Sequence, residues 1–327
     1  IELSHVVGAR SALTGEAIEG WLIAVPYTPR RMLSLPTREV YRKIIAAGHL
    51  AEDLGARMMG LGAYTSVVGD GGRTIADALD IPVTTGDSYT AALSVRAVRE
   101  AARKMEIPLD EVPVAVVGAS GAIGLAVARL LFPYVGRMLL VARDEDRLRQ
   151  VSARISADGK RNRDEREERL DISTDVTDIR QAKVVVTVTS SGGDLVEPEM
   201  LQRGSVVCDV SRPRDVSHEV GRARQDVLVM DGGLVRVPGE VDFGFDYGLP
   251  ANLTYGCLAE TMTLAFEHVS EDYSIGKQVS LDQVAWIDER AAAHGFELAA
   301  LRSFERRLDD AVIQQIRARV YGGGWDE

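Results

Sequence analysis

The sequence has little cysteine, few histidines and no long apolar run, and each shortage removes a class of function. Its two cysteines, Cys208 and Cys257, are too few for a disulfide scaffold or a thiolate metal cluster, so a reducing, cytoplasmic setting is expected. His49, His218, His268 and His294 stand singly, with no H-x-x-x-H or Cys/His spacing, and no metal is expected. No segment reaches the roughly 18 uninterrupted apolar residues that a bilayer crossing takes, so no membrane span is expected and any lipid contact is peripheral. Positive charge is short as well. With 38 Lys and Arg against 49 Asp and Glu, the net charge of -11 repels nucleic acid, which is not expected as a partner. The opening residues do not read as a leader, and no internal repeat is visible.

What is present is an ordinary globular composition, 46% hydrophobic and 27% charged, over 327 residues, long enough for more than one core. The first hundred residues read as helices with a few short strands. Thr37 can cap a helix with Val40, Ile44, Ile45, Leu50 and Leu54 on one face, and Asp87 or Ser88 starts another that runs to about Met105. Gly60–Val68 and Ile81–Asp87 read as strand-like edges ending in turns. From Pro108 the pattern becomes β–α–β. The run Val114–Val117 is wholly apolar, as in a parallel strand covered on both faces, and a helix over Ala122–Leu131 and a strand over Met138–Ala142 follow. Further strands are predicted at Val184–Val188, Val206–Val210 and Val227–Met230. The charged run 159–171 reads as a solvated helix end or insertion loop, or else as a partner-docking patch. Helices are predicted at Cys257–His268, Leu281–His294 and Phe304–Val320, with Ser280 and Gln283 as a capping box for the middle one and a frayed Gly322-Gly323-Gly324 tail.

The predicted fold class is therefore α/β: a central doubly wound, Rossmann-like parallel sheet at 108–235, an N-terminal α/β substrate domain at 1–107, and a C-terminal helical region at 236–327. The segment Gly118-Ala119-Ser120-Gly121-Ala122-Ile123-Gly124 follows a buried strand and opens a helix, the context of a dinucleotide turn. Its first glycine permits the turn, its second lets a pyrophosphate approach, and its third packs helix on sheet. The same glycines would also serve a sheet that uses them only for packing. At the tip of the next strand Arg143, with Arg147 one helical turn on, suits the extra phosphate of NADPH, whereas Asp144 would suit NADH. Thr189, Ser190 and Ser191 follow the Val184–Val188 strand and are candidates to contact ribose or nicotinamide. Gly233, in Asp231-Gly232-Gly233, is placed on the nicotinamide side.

Cys208 lies within an apolar strand and reads as packing. Cys257 opens a helix after Gly256, where helix-end amides would lower its pKa, and it reads either as a nucleophile or as a packed thiol. Glu260 lies over the same helical face and can orient a partner, move protons or raise the thiol pKa by like charge. Tyr273 and Lys277 reproduce the Y-x-x-x-K spacing of short-chain dehydrogenases, but in a C-terminal helical region rather than next to the nucleotide turn.

Five segments, Gly62-Ala63-Tyr64-Thr65-Ser66, Thr84-Thr85-Gly86-Asp87, Val116 to Gly124, Asp231 to Val235 and Gly256-Cys257-Leu258-Ala259-Glu260, occur in an order that resembles the long-chain acyl-[acyl-carrier-protein] reductases of cyanobacteria. The resemblance covers roughly residues 10–300 and is most specific at Thr-Gly-Asp and Cys-x-Ala-Glu. It implies NADPH-dependent reduction of a fatty acyl thioester, on acyl carrier protein or CoA, to an aldehyde. It also implies Cys257 as nucleophile with Glu260 beside it, and Tyr64, Thr65, Ser66, Thr85 and Asp87 on the substrate side. Asp87 stands where the cyanobacterial pattern has Asn. Leu61, Tyr64, Phe243 and Phe245 are positions for an acyl pocket or for plain packing. Two other readings fit the residues: a dehydrogenase of a small carbonyl or imine without covalent catalysis, and a non-catalytic NADP(H)-binding sensor or scaffold.

Overall fold

The computed structural model describes residues 1–158, 167–304 and 306–321; most of the charged run and the triple-glycine tail fall outside them. The chain forms two compact units. One is Ile1–Leu93 with Gly233–Ala299, and the other is Ser94–Gly232 with the segment from Ala300 on. Residues 94–107 and the last helix therefore lie with the parallel sheet, where the sequence division put them in the flanking parts.

In the second unit a six-stranded sheet has the order Leu228–Asp231, Val206–Asp209, Val184–Thr187, Pro113–Val117, Arg137–Val141 and Leu170–Ser173. Every neighbouring pair is parallel. The chain winds outward from the Pro113–Val117 strand to one side, returns, and winds outward to the other, which is the doubly wound order. Both sheet faces are covered: Val114, Val116, Met138 and Leu140 are fully buried, and Ala115, Val117, Val185, Val207 and Val229 join Ile179, Leu201, Val216 and Val220 in one core. The strand Leu170–Ser173 has no counterpart in the sequence reading. The last helix is Asp310–Tyr321 rather than Phe304–Val320, because Arg302–Ser303 and Arg306–Arg307 pair as a hairpin.

The first unit begins with strands, not helices. Glu2–Arg10 lies between Ala17–Ile23 and Gly239–Asp242 in an antiparallel sheet. Helix Thr37–Asp53 packs Val40 and Ile44 against Leu61, Tyr64, Ile75 and Val83. Pro36 rather than Thr37 occupies its cap position, and no side chain caps it. A two-stranded parallel ladder joins Met59–Gly60 to Val83–Thr84, and helix Asp87–Met105 follows directly. The helices Gly256–Phe266 and Leu281–His294 appear close to where the periodicity put them. Ser280 sits at the cap of the second, but its side chain makes no capping bond there. No helix of the described residues is long and apolar enough to cross a membrane.

Candidate active site and nucleotide turn

In the second unit the glycine turn lies at the point where strand order reverses. Gly118 has φ +85°, and a Cβ there would lie 2.3 Å from the Val188 carbonyl oxygen, so only glycine lets the two strand ends approach. A Cβ on Gly124 would lie 2.2 Å from the Gly118 oxygen, which fixes its role as close helix packing. Gly121 is exposed, and its Cβ would meet only the Gly118 oxygen, at 3.3 Å. The space above it and the uncapped first amides of helix Ala122–Leu131, at Ala122 and Ile123, form a cradle for a pyrophosphate. Ser120 is half-buried in the same turn. These residues fit a dinucleotide.

At the next strand tip Arg143 is exposed. Asp144 is the N-cap of helix Glu145–Ala157, accepting from the Arg147 amide at 3.0 Å, while its second oxygen lies 3.5 Å from the Arg147 guanidinium. Asp144 is thus occupied with the helix, and Arg147 with Asp144. Ser190 and Ser191 are exposed and Thr189 is half-buried, but the Thr189 and Ser191 hydroxyls are tied to Asp215. The Thr189 hydroxyl donates to Asp215 at 2.6 Å, and the Ser191 hydroxyl to the same oxygen at 2.8 Å. The other Asp215 oxygen accepts from the Ser211 hydroxyl at 2.6 Å and the Thr189 amide at 3.1 Å. Asp215 is fully buried, and it shapes this loop. Asp209, at the neighbouring strand end, accepts from Thr187 and from the Ser211 and Val216 amides; burial lifts its pKa to about 6. The sequence reading missed both carboxylates, although strand-end acids at a sheet's C-terminal edge are a readable signal.

In the first unit the Thr-Gly-Asp and Cys-x-Ala-Glu segments, about 170 residues apart in sequence, meet face to face. Gly86 has φ +77°, and a Cβ there would lie 2.2 Å from the Cys257 Cα and 2.3 Å from its Cβ. Glu260, one helical turn beyond Cys257, is fully buried. One of its oxygens accepts from the Thr84 hydroxyl at 2.5 Å, and the other from the Tyr89 amide at 2.7 Å. Thr84 in turn accepts from the Gly86 amide at 3.3 Å. Glu260 therefore fastens the turn that covers Cys257. The Thr85 hydroxyl donates to the Ser274 carbonyl at 2.6 Å, and Ser88 and Ser274 share a 2.6 Å hydroxyl contact.

Cys257 is half-buried at the start of helix Gly256–Phe266, and the amides of Leu258 and Ala63 donate toward its sulfur. Ala63 holds φ 50° and ψ -127°, strained for a residue with a side chain, at the bend that brings its amide there. The expected lowering of the thiol pKa by helix amides is overturned. Burial, with the charges of Glu260 and Asp87 adding to it, outweighs the two amides and pushes the thiol up to about 11. Burial and the Glu260 charge likewise lift Asp87, the half-buried first residue of its helix, to about 8. Glu260 itself is raised by burial against the pull of its donors.

The other predicted positions divide. Thr65 and Ser66 turn their hydroxyls back onto the Gly62 and Ala63 carbonyls at 2.7 and 2.9 Å, so those protons are not available to an oxyanion. Leu61 and Tyr64 are core residues, Phe243 is buried, and Phe245 is exposed. Gly233 belongs to the first unit, where its carbonyl accepts from the Gly256 amide at 2.8 Å. Cys208 is fully buried. Tyr273 donates its hydroxyl to the Gln283 carbonyl at 2.7 Å, a structural bond. Among the described residues no cluster of His, Cys, Asp and Glu could hold a metal.

Residues 99–231 match the family model for shikimate / quinate 5-dehydrogenase. The chain is 34% identical over 309 residues to the aminotransferase PigE of Serratia sp. (strain ATCC 39006); the match takes in 91% of this chain but only 34% of PigE. It is 28% identical over 306 residues to the long-chain acyl-[acyl-carrier-protein] reductase of Synechococcus elongatus (strain ATCC 33912 / PCC 7942 / FACHB-805), covering 89% of this chain and 86% of that one. Among solved structures, glutamyl-tRNA reductase from Methanopyrus kandleri has 16% identity and a TM-score of 0.34 over 87% of this chain and 55% of that one, too distant a likeness to carry function. The sheet order, the glycine turn and the sequence matches make the chain a relative of the NAD(P)-binding dehydrogenases and reductases of the Rossmann superfamily.

Proposed function

We propose that the protein reduces an acyl thioester, carried on CoA or acyl carrier protein, to an aldehyde with NADPH through a thioester on Cys257. The observation that carries this reading is the fixed contact between Cys257 and the Thr84–Asp87 turn. Gly86 gives up a side chain to make it, Glu260 fastens it, and two amides point at the sulfur. The Synechococcus relative, matched over most of its length, is a reductase of this class by name. PigE exceeds this chain roughly threefold, and its activity as a whole is not carried over.

On this reading the Cys257 sulfur takes the acyl group from the carrier thiol, and the Leu258 and Ala63 amides serve the oxygen that becomes negative during transfer. Glu260 is a positioning residue, since both its oxygens hold the turn. The Gly118–Gly124 turn would hold the NADPH pyrophosphate, Arg143 its ribose phosphate, and the Thr189–Ser191 loop the far end. When bound, NADPH supplies the hydride that takes the acyl group to the aldehyde.

The dehydrogenase family match over residues 99–231 favours a second reading, direct reduction of a small carbonyl. NADPH oxidation with long-chain acyl-CoA, with the aldehyde trapped as an oxime, separates the two. Covalent reduction is lost in Cys257→Ala, whereas direct carbonyl reduction survives it.

A further inference from the structure

The first unit carries a parallel ladder of its own, and Cys257 lies at its carboxyl end. Met59–Gly60 pairs in parallel with Val83–Thr84, and Tyr273 bridges Thr84, again in parallel. The Tyr273 amide donates to the Val83 carbonyl at 3.0 Å, and the Asp272 carboxylate accepts from the Val83 amide at 2.8 Å. Three segments running the same way bring the residues that follow them to one end: Leu61 to Ala63, Thr85 to Asp87, and Ser274 to Gly276. Two of these ends reach Cys257 directly. The Ala63 amide points at the sulfur, and Gly86 rests on the Cα. The third end supplies Ser274, and its bonds go to the turn that covers the cysteine.

Ser274 is buried and holds φ +53°, a left-handed backbone that glycine adopts more readily than any residue with a side chain. Its carbonyl accepts from the Thr85 hydroxyl at 2.6 Å. Its own hydroxyl meets the Ser88 hydroxyl at 2.6 Å and bonds to the Glu260 carboxyl. Thr85 and Ser88 bracket Gly86 and Asp87, so one residue grips the turn at both ends. Glu260 holds the same turn from the helix that carries Cys257, through Thr84 and Tyr89. The two grips meet at the Ser274 hydroxyl. On this backbone glycine is the less strained choice, and what serine adds is that hydroxyl. The segment is fixed again further on, where the Gly276 amide donates to the Gly71 carbonyl at 2.8 Å.

We propose that Ser274 is a positioning residue for acyl transfer to Cys257: its hydroxyl holds the Thr84–Asp87 turn where Gly86 meets the cysteine. The proposal rests on the thioester reading above. Ser274 takes no part in bond making or proton movement. Without its hydroxyl, Ser88 and Glu260 lose their common partner, and the turn is free to shift against the first turn of the Cys257 helix. A misplacement of about 1 Å at a reacting atom can cost about 100-fold in rate. The loss falls on the maximal rate of acylation and not on binding of the donor, because Ser274 is buried and offers the donor no surface.

The test uses the whole chain without NADPH and follows the acyl adduct by intact mass over a range of decanoyl-CoA concentrations. Ser274→Gly keeps the left-handed backbone and removes the hydroxyl. It should lower the maximal acylation rate about 10- to 100-fold and leave the half-saturating concentration within about threefold of wild type. Ser88→Ala removes the partner hydroxyl and should lower the rate in the same way but less; the double variant should be no slower than Ser274→Gly, because the two residues share one bond. Alkylation of Cys257 by iodoacetamide, mapped by peptide digestion, should change in both variants, and this readout needs no thioester chemistry. A residue that served the backbone alone would be unchanged or improved by glycine. A wild-type acylation rate in Ser274→Gly overturns the proposal, as does a loss that appears in the half-saturating concentration instead. If Ser274→Gly does not fold, a wild-type acylation rate in Ser88→Ala overturns it. No adduct on the wild type overturns the thioester reading, and the positioning role then falls only if both variants are alkylated at the wild-type rate.

Discussion

Replacing Gly86 by alanine tests the contact on which the site is built. The added Cβ would lie 2.2 Å from the Cys257 Cα and 2.3 Å from its Cβ, at a backbone φ of +77°. The left-handed backbone costs a residue with a side chain about 1–2 kcal/mol. The overlap is with the first turn of a helix rather than a flexible side-chain end, so backbone must move, which costs about 1–3 kcal/mol more. Gly86→Ala should therefore lose about 2–5 kcal/mol in the denaturant unfolding of the first unit. It should also change the rate at which iodoacetamide alkylates Cys257, because the sulfur leaves the Leu258 and Ala63 amides. Gly20→Ala is the control: it has no atom within 4 Å and no positive φ, so it should be neutral or slightly stabilising. Wild-type stability and alkylation rate in Gly86→Ala would refute the reasoning.

Further predictions concern charge. Asp87 titrates at about 8 in the folded chain and at about 4 unfolded, so only the folded chain holds its proton between those values. Its contribution to stability is therefore complete below about pH 4 and lost as pH rises through about 8, up to about 5 kcal/mol by this bound. Asp87→Asn should match wild type near pH 4 and unfold at higher denaturant near about pH 9; an unchanged difference between the two pH values contradicts the shift. Arg143→Ala should weaken NADPH binding about tenfold or more and leave NADH nearly unchanged by fluorescence titration, as loss of a phosphate partner requires. Asp144→Ala should cost about 1 kcal/mol of helix capping and leave cofactor preference alone. Asp215→Ala frees three hydroxyls, and should lower stability by about 3 kcal/mol and weaken dinucleotide binding; unchanged binding would detach that network from the cofactor.

Local signals carried much of this molecule. Val114–Val117 reads as a two-face-buried strand because all four residues are apolar, and the glycine turn reads as one because a strand precedes it and a helix follows. Leu170–Ser173 was illegible for the opposite reason: its four residues, Leu-Asp-Ile-Ser, alternate weakly after a charged run, and the edge of the sheet asks little of them. The opening strand Glu2–Arg10 is largely exposed, so its sequence carries no core pattern. Thr189 and Ser191 looked like ligand hydroxyls because a hydroxyl-rich turn has the same letters whether it faces ligand or Asp215. Glu260 was placed beside Cys257 by helical spacing, but its grip on Thr84 and Tyr89 is a long-range fact of folding. The sign of the thiol shift depended on burial, which helix position alone does not give.

Intact mass after exposure to a long-chain acyl-CoA, with no NADPH added, tests the central claim most directly. The wild type should gain one acyl mass, mapped by peptide digestion to Cys257, and Cys257→Ala should gain none. A wild type that gains nothing, or a variant acylated as readily as the wild type, would contradict covalent catalysis at this cysteine.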